Sequence, residues 1–123
     1  MDFKDDIVAI SSPSGIGAIS LIRVSGEKAL EKVNPFFKSK SGKSLLNIKS
    51  HSMIFGEFMN EDEVIDEVVV SFFDKDKSYT GQQTVEISCH GSTFIQQQII
   101  QILIIPQTNF FFIALFISNA VTL

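Results

Sequence analysis

No charged residue follows Glu86 in this chain of 123. A soluble domain normally distributes charge over its whole surface, so the sequence changes character towards its C-terminal end. Tryptophan is absent, tyrosine and arginine occur once each (Tyr79 and Arg23), and Cys89 is the only cysteine. One cysteine excludes an internal disulfide framework and fits a reducing cytosol, so a cytoplasmic location is expected. Basic residues are the minority, ten against fourteen acidic, for a net charge of −4 and a pI near 5.0. The domain-wide basic footprint of a nucleic-acid binder is therefore missing. The first ten residues, MDFKDDIVAI, are acidic where a secretory leader would be basic, so no export signal is expected.

Apolar side chains are abundant. Hydrophobic residues make up 45% of the sequence, and phenylalanine alone occurs twelve times. That supplies enough surface for one hydrophobic core and one small domain, and excludes global disorder.

The pattern along the chain alternates between strand and helix signals. The β-branched run IVAI (7–10) reads as a buried strand, SSPSGIG (11–17) as a turn, and AISLIRVSG (18–26) as a second strand. In EKALEKV, Ala29, Leu30 and Val33 share one helical face, and Asn34-Pro35 ends that helix. Residues 38–50, rich in lysine and serine, predict an exposed loop. Strands are predicted over 51–58, 64–73 and 84–91, with NEDE (60–63) a solvated turn and 74–81 a polar loop. From Ser92, a plausible N-cap, Phe94, Ile95, Gln98, Ile99, Ile102 and Leu103 keep a helical spacing to about residue 104. The order β-β-α-β-β-β-α predicts an α+β fold, a mostly antiparallel sheet with helices on one face. Val68, Val70, Phe72, Val85, Ile87, Ile99 and Leu103 are the expected core.

Several stretches invite a chemical reading. SGKS (41–44) lacks the upstream glycine of a phosphate loop, where Phe37 stands, and reads better as a flexible loop. GIGAIS lacks the third glycine of a dinucleotide fingerprint and leads into a strand. Cys89-His90 has no further cysteine or histidine nearby to complete a zinc site, so no metal is expected. Adjacent strand residues also face opposite ways, which disfavours a thiol working with its neighbouring base; Cys89 reads as a packing residue and no catalytic residue is assigned. Glu86 and Arg23 are different. Each is a lone charge inside an otherwise apolar or small strand, and a charge so placed is either solvent-facing or paired. The planar guanidinium of Arg23 suits a carboxylate or an anionic ligand.

These residues also carry a resemblance. DDIVAISSPSGIGAISLIRVSG (5–26) and IDEVVVSFFDKDKSYTGQQTVEISCHGSTFIQQQIIQ (65–101) resemble successive blocks of the tRNA modification GTPase family MnmE, also called TrmE, in its N-terminal domain. The likeness covers about residues 5–104. It implies a tetrahydrofolate-binding-like domain over residues 1–105 that forms a homodimer and binds 5-formyl-tetrahydrofolate, with Arg23 and Glu86 as the cofactor-binding residues. In the family, this domain works with a partner, MnmG, on the wobble uridine of tRNA, so tRNA is an indirect partner. GTP, Mg and K belong to family domains whose motifs this sequence does not contain.

The sequence departs from the family pattern in two places. Gln82-Gln83 replaces an acidic Glu-(Asp/Asn) pair. After Ile104, IPQTNFFFIALFISNAVTL matches nothing in the family, so 106–123 is expected to be a divergent apolar tail arising from frameshift or truncation. The rival reading is a membrane-associated or purely structural fragment. FFFIALFI and its flank fall short of the ~20 apolar residues that a spanning helix needs, so no membrane insertion is expected.

Overall fold

The computed structural model describes residues 6–10, 19–74, 82–104 and 110–113. The predicted turn at 11–17, all but Asp74 of the predicted loop at 74–81 with its Tyr79, and most of the predicted tail lie outside the described residues.

Strand β1 (Asp6–Ile10) pairs antiparallel with β2 (Ile19–Gly26). A single turn and a half of helix, α1 (Ala29–Val33), follows and buries Ala29, Leu30 and Val33, the face its spacing predicts. Pro35 ends the α-helical ladder, and the chain continues as a 3-10 turn over Asn34–Phe36. Strand β3 (Phe37–Ser39) then lies against β4 (Ser52–Asn60), which forms a hairpin with β5 (Glu63–Phe73). Glu61 takes the left-handed φ of 56° that so short a hairpin turn requires. Strand β6 (Gln83–His90) runs antiparallel to both β5 and β2, and helix α2 (Thr93–Ile104) follows it. Ser92 caps α2 through its Oγ, which accepts the N–H of Ile95 at 3.4 Å.

The sheet order is β3-β4-β5-β6-β2-β1-β7, where β7 is Phe110–Ile113. Every pairing is antiparallel except β1 with β7. Both helices share one core with one sheet face: Ala29, Val33, Ile99 and Leu103 pack with Val8, Ile22, Val24, Val68, Val70, Val85 and Ile87. All seven expected core residues are buried. The fold is α+β, with helices on one face of a mostly antiparallel sheet.

Three expectations need correction. Residues 38–50 are not simply a loop: the start of this stretch belongs to β3, and Leu45–Asn47 forms a 3-10 turn that sinks Leu45 completely into the core. Ser44 Oγ accepts the N–H of Leu46 at 3.1 Å and so starts that turn. The inward stripe of α2 is Gln96, Ile99, Ile100 and Leu103, whereas Phe94 is exposed. Ile99 and Leu103 face inward as expected, but the stripe is turned towards Gln96 and Ile100, and the buried Gln96 amide donates to the buried Ser20 hydroxyl. Finally, part of the apolar tail supplies β7, which makes the sheet seven-stranded rather than ending the order at α2.

Candidate functional site

The sheet face opposite the helices carries alternate residues from each strand. Across it, Met53, Ser71, Glu86, Arg23 and Ala9 fall opposite one another on β4, β5, β6, β2 and β1. One step along the strands, Phe55, Val69, Ser88 and Leu21 form a second, more apolar row.

Arg23 and Glu86 are direct cross-strand neighbours, and the structure brings their side chains together. Arg23 donates from Nε to Glu86 Oε2 at 3.0 Å and from Nη2 to the same oxygen at 2.6 Å. The side chains are 36% and 19% exposed respectively, so the pair is shielded but reachable. Because both bonds converge on Oε2, the remaining guanidinium N–H groups and Oε1 are left for other partners. The arrangement therefore presents donors and an acceptor side by side, which suits a ligand edge that carries both.

Cys89 points the other way, into the core, and is 3% exposed. Burial, reinforced by the Asp66 carboxylate, pushes its thiol up to about 12, so it stays protonated at neutral pH and has no nucleophilic character. His90 does not face Cys89. Its Nδ1 lies 2.7 Å from Asp66 Oδ1, and its backbone N–H donates to Asp66 Oδ2 at 2.8 Å. Asp66 escaped the sequence reading, although a carboxylate inside the run VIDEVVV is the same signal that singled out Glu86. Its aim depends on a β-bulge: Phe58 pairs with Asp66 but Met59 pairs with Val64, which leaves Ile65 as an extra residue in β5.

The pairing of β5 with β6 stops at Val69 and Ser88, whereas β6 continues alongside β2 to His90. A cavity of about 190 Å³ lies there, lined by Ile19, Phe55, Glu67, Val69, Ser88 and His90 among others. Glu67 also meets Lys40 at 3.4 Å, and Lys40 meets Glu57 at 3.2 Å, an exposed cluster whose carboxylates, Glu57 first, raise the lysine's pKa. Among the described residues, no group of three or more His, Cys, Asp or Glu side chains is arranged to hold a metal. No helix among them is long and apolar enough to cross a membrane.

The described residues form an α+β domain with both helices on one sheet face and the Arg23–Glu86 pair on the other. The chain belongs to the family described as GTP-binding protein TrmE N-terminus, whose model matches residues 6–110. It is 55% identical over 104 residues to the tRNA modification GTPase MnmE of Christiangramia forsetii, covering 85% of this chain and 22% of that protein. The MnmE of Flavobacterium psychrophilum is 49% identical over 104 residues, with the same 85% and 22% coverage. That of Acholeplasma laidlawii is 46% identical over 96 residues, covering 77% of this chain and 21% of the relative. The chain thus spans about a fifth of the length of the curated relatives it matches.

Proposed function

We propose that this chain is the folate-binding, dimer-forming part of a tRNA modification GTPase and binds 5-formyl-tetrahydrofolate through Arg23 and Glu86. The observation that carries the reading is the Arg23–Glu86 pair, two lone charges set opposite each other on the open sheet face. The relatives' shared name, tRNA modification GTPase, supports the wider process, in which MnmG is the proposed partner, tRNA the indirect substrate and the cytoplasm the site of action. GTP hydrolysis is assigned to other parts of such proteins, because this sequence holds no phosphate loop.

The chemistry of recognition follows from the pair. A carboxylate accepts parallel N–H bonds from the aminopyrimidinone edge of a pterin, and a guanidinium answers carbonyls or negative charge. In the free domain the two groups meet only through Oε2, so the ligand adds to or re-aims an existing ion pair through Oε1 and the remaining N–H groups. Exposed apolar residues on the same sheet face, Ile19, Met53 and Phe55, favour a second copy closing over it.

Calorimetry with 5-formyl-tetrahydrofolate tests the assignment. Glu86→Ala should cost on the order of 2 to 4 kcal/mol of binding, because it strips the ligand's donors of their acceptor and Arg23 of its partner. Arg23→Ala should cost a similar amount, and Cys89→Ser, on the core side, should leave the affinity unchanged. Undiminished binding in both Glu86→Ala and Arg23→Ala sinks the assignment.

A further inference from the structure

The cavity between the diverging ends of β5 and β6 has a chemistry of its own. Neither Arg23 nor Glu86 lines it. Past Val69 and Ser88 the two strands no longer pair, and Asp66 bridges the gap in place of the ladder by accepting the backbone N–H of His90 at 2.8 Å. The second oxygen of the same carboxylate holds the imidazole at Nδ1, 2.7 Å away. An ionised carboxylate only accepts hydrogen bonds, so Nδ1 carries the ring proton. In the neutral ring, Nε2 is therefore a bare acceptor. Asp66 is only 10% exposed, whereas the His90 side chain is 71% exposed, so the carboxylate is fixed and the ring is on offer.

The rest of the lining agrees in polarity. Glu67 contributes a carboxylate, Ser88 a hydroxyl, and Phe55, Val69 and Ile19 an apolar wall. Cys89, also on the lining, stays protonated and contributes no thiolate. Among the described residues that line it, the cavity brings acceptors to a partly aromatic, partly aliphatic surface and holds no Lys or Arg; the nearby Lys40 is engaged by Glu57 and Glu67. At about 190 Å³ it is smaller than a drug-sized pocket and takes roughly one ring.

We propose that this cavity is a second binding site, for a small planar nitrogen heterocycle that donates N–H bonds, with His90 Nε2 as the acceptor and Asp66 as the residue that fixes its tautomer. The proposal uses neither Arg23 nor Glu86, although Ile19 and Phe55 on the cavity wall also belong to the face proposed for the dimer.

Two measurements on the whole chain test it, with cytosine as the probe and acetate as the contrast. Nitrogen-15 NMR of the histidine side chains should find His90 of the wild type, when neutral, with its proton on Nδ1. Asp66→Asn should move that proton to Nε2: the amide oxygen takes the backbone N–H and the amide NH2 then faces Nδ1. Titration with cytosine at millimolar concentration should shift the His90 ring resonances saturably. Asp66→Asn and His90→Phe should each weaken binding by on the order of tenfold, the loss of about one hydrogen bond. His90→Phe keeps Asp66 and the apolar wall in place, so it decides the question alone if Asp66→Asn does not fold. Acetate should give no saturable shift. The proposal is overturned by an Nε2–H tautomer in the wild type, by cytosine affinity unchanged in His90→Phe, by acetate binding as well as cytosine does, or by no saturable shift at all. Because Arg23 and Glu86 are untouched in these variants, 5-formyl-tetrahydrofolate calorimetry on the same proteins separates failure here from failure of the folate assignment.

Discussion

Glu86 is gripped at one oxygen by two nitrogens of Arg23, an uneven grip that leaves the other oxygen for a guest. Partly exposed ion pairs of this kind add only about 0 to 1 kcal/mol to stability, so the fold does not depend on the pair, as the proposed recognition role requires. Cys89 is the opposite case, a residue that matters to folding alone. Its thiol is raised from an ordinary 9.0 to about 12, with burial the chief cause. In the unfolded chain the group loses its proton near 9, whereas in the folded chain it holds it to about 12. The unfolded state therefore binds fewer protons across that window, and stability falls as pH rises through it. The slope is at most about 1.4 kcal/mol per pH unit, and nothing is lost below pH 9 from this group. Alkylation by iodoacetamide should accordingly be negligible in the native protein at pH 8 and rapid in denaturant. Equal labelling rates in the two conditions would refute a buried thiol. Cys89→Ser should cost about 1 to 3 kcal/mol of stability, read from a denaturant midpoint, because it places a hydroxyl among Val85, Ile87 and Ile99.

At the scale of elements, what could be read in advance depended on how much of each element's stability comes from its own pattern. Strands β2, β4, β5 and β6 and helix α1 alternate or recur in apolar residues, and each was predicted within a residue or two. The three-residue β3 has no such pattern. It exists because β4 offers it a partner and because Gly56 leaves space: a Cβ there would collide with the Lys38 carbonyl and the Phe37 ring. Helix α2 was legible in length and in its core residues Ile99 and Leu103, but not in the inward turn of Gln96, whose bond to Ser20 can be seen only once β2 is beside it. Arg23 and Glu86 were legible one at a time, as lone charges in strands, but their contact depends on the β2–β6 register, and the Asp66–His90 contact depends on a bulge. Neither is encoded in local sequence. The Gly56 contact gives a sharp expectation. Gly56→Ala should lower stability by about 1 to 3 kcal/mol, shifting the denaturant midpoint without changing the m-value, and should speed amide exchange in β3 while sparing β6. An unchanged midpoint would mean that β3 is not held as described.

Taken whole, the described residues put both helices on one sheet face, while the other face leaves Met53 70%, Ile19 68% and Phe55 49% exposed. The proposed twofold dimer would bury this face together with whatever Arg23 and Glu86 bind. In an isologous interface every substitution occurs twice, and a buried charge near the symmetry axis meets its own copy. Phe55→Glu together with Met53→Glu should therefore raise the dimer dissociation constant at least about a hundredfold, or roughly 2.7 kcal/mol. Neither residue belongs to the hydrophobic core, so the thermal midpoint of the monomeric unit should change little. Sedimentation equilibrium over a range of concentrations gives the answer. A wild-type chain that stays monomeric at about 100 μM, which corresponds to association weaker than about 5.5 kcal/mol, removes the dimer from the proposal. A double variant that dimerises as tightly as the wild type moves the interface to another face. Folate calorimetry on the double variant then shows whether one copy of the open face suffices: weakened binding with Arg23 and Glu86 intact means that the second copy completes the pocket.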